Sequence, residues 1–256
     1  MNEINTANNT NSQKHINHIN FSKSDISNMF DNIAVKYDLI NHVSTFGIDK
    51  KWRSKAIREA GDLRNKHIID LATGTGDIAI RLCREMPAKI TAVDISENML
   101  FYAAKKVKEL NLESKIELIK ADSESLPFDD NTFDVATMGF GIRNCVNPIK
   151  ALTEINRVLK PGAKVVILEF SEPDATFSHF LIRFYLKKIL PLLGRSISHN
   201  KTAYNYLHKS INNFPAGVDF LNLMAKAEFV NLSYKVMTFD LVSIYTGFKS
   251  NSKEYF

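Results

Sequence analysis

Residues 67–77 read His67-Ile68-Ile69-Asp70-Leu71-Ala72-Thr73-Gly74-Thr75-Gly76-Asp77. A short apolar run passes into a glycine-rich turn, and a helix is expected from about Asp77 to Glu85. Glycines there let the backbone turn tightly and approach a ligand with no side chain between them. A plain strand-to-helix turn would use the same residues. A dinucleotide fold would continue as Gly-x-Gly-x-x-Gly, with a pyrophosphate on the helix N-terminus. Here Ala79 stands at the third glycine, and Asp77 puts an acid in the first helical turn. That suits a ligand with positive charge and no phosphate. S-adenosylmethionine, with its sulfonium and amino groups, is such a ligand. Gly74, Thr75 and Gly76 would form its turn, and Asp70 at the strand end could receive its amino group directly or through water.

Reading outward, strands and helices alternate. "AKITAVDI", "KIELIKAD", "FDVATMGF" and "AKVVILEFS" read as further strands, the last entered through the Pro161-Gly162 turn. "SENMLFYAAKKVKEL", capped by Ser96, and "NPIKALTEINRVLK", with Pro148 near its start, read as helices. Such alternation predicts an α/β fold: a doubly wound, mostly parallel sheet with helices on both faces. "FVNLSYKVMTF" and "LVSIYTGFKS" leave no room for a crossover helix, so they should pair antiparallel and complete seven strands.

Before this core, residues 1–24 are rich in Asn, Ser and Thr and are expected to be a tail. Two helices follow over 25–62, with Ile26, Met29, Phe30, Ile33 and Tyr37 on one stripe of the first, and Gly61 closing the second. The cofactor-binding core is expected over 63–173, a helical insertion over 174–228 and the terminal strand pair over 229–250. An insertion between strands five and six belongs over the carboxyl edge of the sheet, where ligands bind. Within it, Phe177–Leu193 places His179, Arg183 and Lys187 on one face among Phe and Leu. That fits a buried cap helix or one resting on a membrane surface.

Composition narrows the function. The chain has 256 residues, 45% hydrophobic and 24% charged, with a net charge of +5. This suits one globular domain and demands no nucleic-acid partner. Cys83 and Cys145 are too few for a disulfide framework, and His15 and His18 lack metal-ligand company, so no metal is expected. No secretory signal or spanning segment is seen, so the expected location is cytoplasmic, with peripheral membrane contact and a homodimer both left open.

Three further strand ends carry chemistry. Asp94 ends the second strand, where an acid can accept both ribose hydroxyls of an adenosine cofactor. Asp122 and Ser123 end the third, where a carboxylate and a backbone donor can read adenine, with Leu126, Pro127 and Phe128 as an adenine wall or as core packing. The fourth strand ends in "GFGIRN", residues 139–144. Gly139 and Gly141 would leave room for the methionine part of the cofactor, and Phe140 could pack beside the sulfonium.

These features resemble the class I S-adenosylmethionine-dependent methyltransferases. More closely, "MFDNIAVKYDLIN…FGIDKKW" (29–52), "FGIRN" (140–144), "RVLKPGAKVVILEFS" (157–171) and "YNYLHKSINNFP" (204–215) resemble the ubiquinone/menaquinone biosynthesis C-methyltransferases, over residues 25–249. Ala163, Ile40 and Asp49 depart from that pattern, which touches the sub-type more than the reaction. The resemblance implies methyl transfer to a ring carbon of demethylmenaquinol, a polyprenylated quinol, with a benzoquinol of ubiquinone synthesis as the alternative. Arg143 would stabilise the developing phenolate and Asn144 would fix the ring hydroxyl; a salt bridge to a surface carboxylate is the other reading of Arg143. Tyr204 and Tyr206 would line the acceptor pocket or pack the core, and His199 is a weak candidate base. A nicotinamide oxidoreductase, an RNA methyltransferase, a methyltransferase of another small molecule and a non-catalytic scaffold are the competing readings.

Overall fold

The computed structural model describes residues 22–171, Tyr206, Ser210, Ile211 and 213–251. The chain opens with α1 (Lys23–Ser44) and α2 (Asp49–Glu59). Ser22 caps α1 in a reciprocal box with Asp25, which satisfies N–H groups that the first turn leaves unpaired. Then follow β1 (His67–Leu71), α3 (Asp77–Leu82), β2 (Lys89–Asp94), α4 (Glu97–Glu109), β3 (Ile116–Lys120), β4 (Phe133–Gly139), α5 (Pro148–Val158) and β5 (Leu159–Phe170). The chain closes with α6 (Val218–Lys226), β6 (Phe229–Met237) and β7 (Val242–Lys249). The expected insertion over 174–228 falls mostly outside the described residues; α6 lies at its end.

The sheet has seven strands in the order β3-β2-β1-β4-β5-β7-β6, with β7 antiparallel to both neighbours. This is the doubly wound, mostly parallel sheet that the alternation predicts. Pro161-Gly162 lies within β5 rather than before it, because Leu159 already pairs with Phe133 and the register then shifts.

Two apolar layers sandwich the sheet, and the period of two along each strand sorts residues between them. Ile69 and Leu71, Ala136 and Met138, and Val165 and Ile167 face α5 and α6, where Leu152, Ile155, Phe220 and Met224 are fully buried. Ile68, Val135, Val166 and Leu168 face α2 and α3, against Trp52, Ile57, Ala79 and Leu82. α1 belongs to neither layer. It crosses the carboxyl ends of β3, β2 and β1, held by side chains: Lys23 to Asp122, Asp31 to Ser96, and Asp38 to Thr75.

At the end of β4 the backbone passes close to α3 and to the turn after β1, so a side chain on either of two glycines would meet a neighbour. A Cβ on Gly139 would strike Ile78 Cδ1, and one on Gly141 would lie 2.5 Å from Ala72 Cβ. Ile78 Cδ1 is the far end of a side chain and can give way; Ala72 Cβ cannot move without its backbone. Gly141→Ala should therefore destabilise the protein by about 1–3 kcal/mol, read as a lower denaturant midpoint with an unchanged slope. An unchanged midpoint would show that the Ala72 turn shifts freely.

Candidate active site

The carboxyl ends of β1 to β4 and the underside of α1 enclose a cleft of about 700 Å³, open to solvent. Of the candidate site residues singled out in the sequence, Gly74, Asp94, Asp122, Ser123, Gly139, Phe140, Gly141 and Asn144 line it. Asp70, Thr75, Gly76, Arg143 and Tyr206 stand behind the lining, and Tyr204 lies outside the described residues.

Asp94 organises the floor. Its Oδ2 accepts the Gly74 N–H at 2.7 Å and its Oδ1 accepts the Ser96 N–H at 2.9 Å. Each carboxylate oxygen keeps a further lone pair, which is what a ribose diol requires. Burial pushes the Asp94 carboxyl above its usual value, and the N–H groups of Ser96 and Gly74 pull it back. Asp122 and Ser123 lie at the next strand end, where Lys23 of α1 pairs with both Asp122 and Glu124. This half of the cleft does not favour a phosphate: among the described residues its cation, Lys23, is already paired with Asp122 and Glu124, and Asp94 adds a further acid. An uncharged, diol-bearing nucleoside with an exocyclic amine fits it.

Several placements differ from the sequence-based expectations. Asp70 does not reach the cleft. It has no exposure, and its two oxygens accept the hydroxyls of Thr73 at 2.6 Å and Thr137 at 2.7 Å. Asp77 is also turned away and pairs with Lys106 at 2.8 Å, near Arg53. Burial opposes its charge, but those cations hold its carboxyl below the usual value. Thr75 donates to Asp38 of α1 and accepts from Lys106, and Gly76 is left-handed (φ 85°) to start α3 against Ala103. Leu126 and Phe128 pack the core against Phe133 and its neighbours, so the apolar wall is made by Ile95 and Met99, with Ile26 and Phe30 of α1. Phe140, left-handed at φ 58°, packs against Phe170 with tilted rings whose centres lie 4.7 Å apart, and carries Arg53 over its ring.

The other half of the cleft is built from the turn after β4. Asn144 donates to the Phe140 carbonyl at 3.1 Å and accepts the Tyr206 hydroxyl at 3.1 Å. Arg143 is a salt bridge, as one reading held, but with a buried partner: Nη1 meets Glu169 Oε1 at 2.5 Å, and Glu169 is fully buried. Removing either partner from such a pair typically costs about 3–5 kcal/mol. Tyr37 was legible only as part of an apolar stripe, yet it lines the cleft near Gly74. Burial raises the titration of Tyr37, and pushes Tyr206 up to about 12, while the charge of Arg143 works against both shifts. His42, Asp49 and Asp77 come within metal-ligating distance of one another, but Arg53 sits on both acids and supplies the positive charge there.

This sheet order, with a glycine turn after β1, acids closing β2 and β3 and a cleft across them, is the architecture of the class I S-adenosylmethionine-dependent methyltransferases. Solved structures agree on the fold: methyltransferases from Aquifex aeolicus and Thermotoga maritima superpose with TM-scores of 0.58 and 0.62, at 19% and 20% identity. The alignments cover 90% and 88% of this chain, and 99% and 100% of theirs. A model of the ubiE/COQ5 methyltransferase family matches residues 18–249, and the chain belongs to that family. It is similar to the demethylmenaquinone methyltransferase of Bacteroides fragilis, at 41% identity over 88% of this chain and 92% of that one. It is similar, too, to the ubiquinone/menaquinone biosynthesis C-methyltransferase UbiE of Rickettsia felis, at 39% identity over 88% and 92%. The chain is thus a methyltransferase.

Two outcomes test this geometry. Asp94→Ala should abolish S-adenosylmethionine binding measured by calorimetry; normal binding would remove Asp94 from the ribose role. Asp70 tests the buried hydroxyl network. Burial raises its carboxyl from 3.8 to about 6. The native state therefore holds this proton more tightly than the unfolded chain, and the group's contribution to stability is lost as pH rises from about 4 to about 6. Asp70→Asn should flatten that decline in a series of urea midpoints between pH 4.5 and 7.

Proposed function

We propose that this chain transfers the methyl group of S-adenosylmethionine to a ring carbon of demethylmenaquinol. The observation that carries the reading is a single cleft with two unlike ends. One end presents Asp94, Asp122 and Ser123 to a nucleoside. The other presents Asn144, which accepts the Tyr206 hydroxyl and shares the Phe140 carbonyl with Arg143, to a phenolic ring. The printed name of the Bacteroides fragilis relative supports the naphthoquinol, and that of the Rickettsia felis relative supports a benzoquinol as the second reading.

The bound cofactor supplies an electrophilic methyl group on a cationic sulfur. The residues of the chain do the rest. Asp94 would accept the ribose hydroxyls and Asp122 the adenine amino group, with Ile95 and Met99 against the base. Gly139 and Gly141 let the end of β4 pack against Ile78 and Ala72 while their backbone borders the cleft, where the methionine portion would lie. Asn144 would orient the ring hydroxyl, and Arg143 would stabilise negative charge as it develops on that oxygen. The acceptor must be reduced, because a quinone carbon is not nucleophilic. Holding donor and acceptor aligned supplies much of the acceleration.

A polyprenylated acceptor resides in a bilayer. No helix among the described residues is long and apolar enough to cross one. The basic, apolar segment Phe177–Leu193, outside the described residues, supports contact with the membrane surface.

Labelled S-adenosylmethionine and a short-tailed demethylmenaquinone, with and without dithionite, test the reading. A methylated naphthoquinone, identified by mass, should form only under reduction. Cofactor binding with no product from this acceptor would reject the naphthoquinol and turn the test to benzoquinols. Arg143→Ala should leave S-adenosylhomocysteine affinity nearly intact and cut turnover by on the order of a hundredfold; unchanged turnover would leave Arg143 with only its salt bridge.

A further inference from the structure

Glu169, next to last in β5, has no solvent exposure, and donors converge on it from two directions. Arg143 Nη1 reaches Oε1 at 2.5 Å, the Phe170 N–H reaches the same oxygen at 2.8 Å, and the Arg143 N–H approaches Oε2 at 3.4 Å. Nη1 also donates to the Phe140 carbonyl at 2.8 Å, so both of its hydrogens are spent. The guanidinium lies 5.2 Å from the centre of the Phe170 ring. Its Nε–H is different: it is buried and has no hydrogen-bond partner among the described residues. The Arg143 side chain is only 6% exposed, so water does not readily satisfy that donor. A buried donor left unpaired is costly and calls for an explanation. Here the explanation lies in its neighbours: the Phe140 carbonyl that Nη1 reaches also accepts from Asn144, which lines the acceptor end of the cleft and accepts the Tyr206 hydroxyl.

We propose that Glu169 is the positioning residue of Arg143: it ties Nη1 to the end of β5 and so leaves the Nε–H edge for the hydroxyl of a phenolic acceptor. This rests on the quinol reading above, but Glu169 itself touches neither reactant. Its work is to fix one rotation of a planar fork whose donors are useful only in the right plane.

The test compares wild type, Glu169→Gln, Arg143→Gln and the double variant, each as the full chain. Glutamine keeps the size and loses the charge that holds Nη1. Turnover of short-tailed demethylmenaquinol should fall tenfold or more in Glu169→Gln, with S-adenosylhomocysteine affinity unchanged. The double variant should be no slower than Arg143→Gln alone. Wild-type turnover in Glu169→Gln, or losses that multiply in the double variant, would overturn the proposal. If Glu169→Gln does not fold, Glu169→Asp, which keeps the charge but shortens the reach, is read the same way.

A second readout does not depend on turnover. With S-adenosylhomocysteine present, 1-naphthol is titrated by absorbance on each protein. Wild type should lower the bound naphthol pKa, and Glu169→Gln should shrink that lowering. A larger lowering in the variant would mean that Glu169 damps the charge of Arg143 rather than positioning it, and would overturn the proposal, as would no lowering in wild type. If wild type lowers the naphthol pKa but does not methylate demethylmenaquinol, the choice of acceptor fails while the role of Glu169 stands.

Discussion

The Asp94 carboxylate is the hinge of the whole site. With one oxygen it holds the N–H of Gly74 in the turn after β1, and with the other it holds the N–H of Ser96 at the start of α4. Two neighbouring strand ends are thereby set at one spacing, and Ser96 in turn caps α4 and bonds Asp31 of α1. Asp70 does the corresponding work one layer deeper, where Thr73 of the turn and Thr137 of β4 meet on a buried carboxylate. The floor of the cleft is thus a set of backbone turns pinned by acids. A small, uncharged nucleoside finds acceptors already in place, and an anion finds repulsion.

The acceptor end is balanced differently. Arg143 and Glu169 are both deep, and together they add no net charge to the region. Arg53, Asp49, Asp77 and Lys106 repeat the pattern beneath α1 and α2. Such internal balance suits a neutral reactant such as a quinol, because no long-range field selects for or against it. Discrimination then falls to the direction of hydrogen bonds around Asn144.

Much of this was legible in the sequence, for physical reasons. Ile68-Ile69-Asp70-Leu71 is apolar on both faces because β1 is covered by helices on both sides, so it reads as a central parallel strand. Asp94, Asp122 and Asn144, which line the cleft, could be singled out because each closes a strand or lies in the turn after one. Tyr37 and Lys23 were missed because a long helix shows only its period, not what its underside covers. The orientations of Asp70 and Asp77 were misjudged for a related cause. Sequence places an acid at a strand end or a helix start, but only three-dimensional neighbours such as Thr137 and Lys106 decide which way it turns. Glu169 gave no signal at all within an apolar strand, since its partner lies 26 residues away in the chain.

α1 differs from every other long helix here in how it is held. Among the described residues its apolar cluster is small, Ile26, Met29 and Tyr206 with Phe30 beside them, and Ala34 is buried as well. Much of its attachment is polar: Lys23, Asp31 and Asp38 reach down to Asp122, Ser96 and Thr75, each beyond a different strand end. Polar tethers near solvent are weak one by one, whereas the sheet beneath is sealed between two apolar layers. The molecule therefore has a graded hierarchy of local stabilities, with its roof on the lowest rung. Amide protons of α1 would exchange through a local opening that leaves the sheet intact, and the route to the nucleoside end runs through that opening rather than through any loosening of the core.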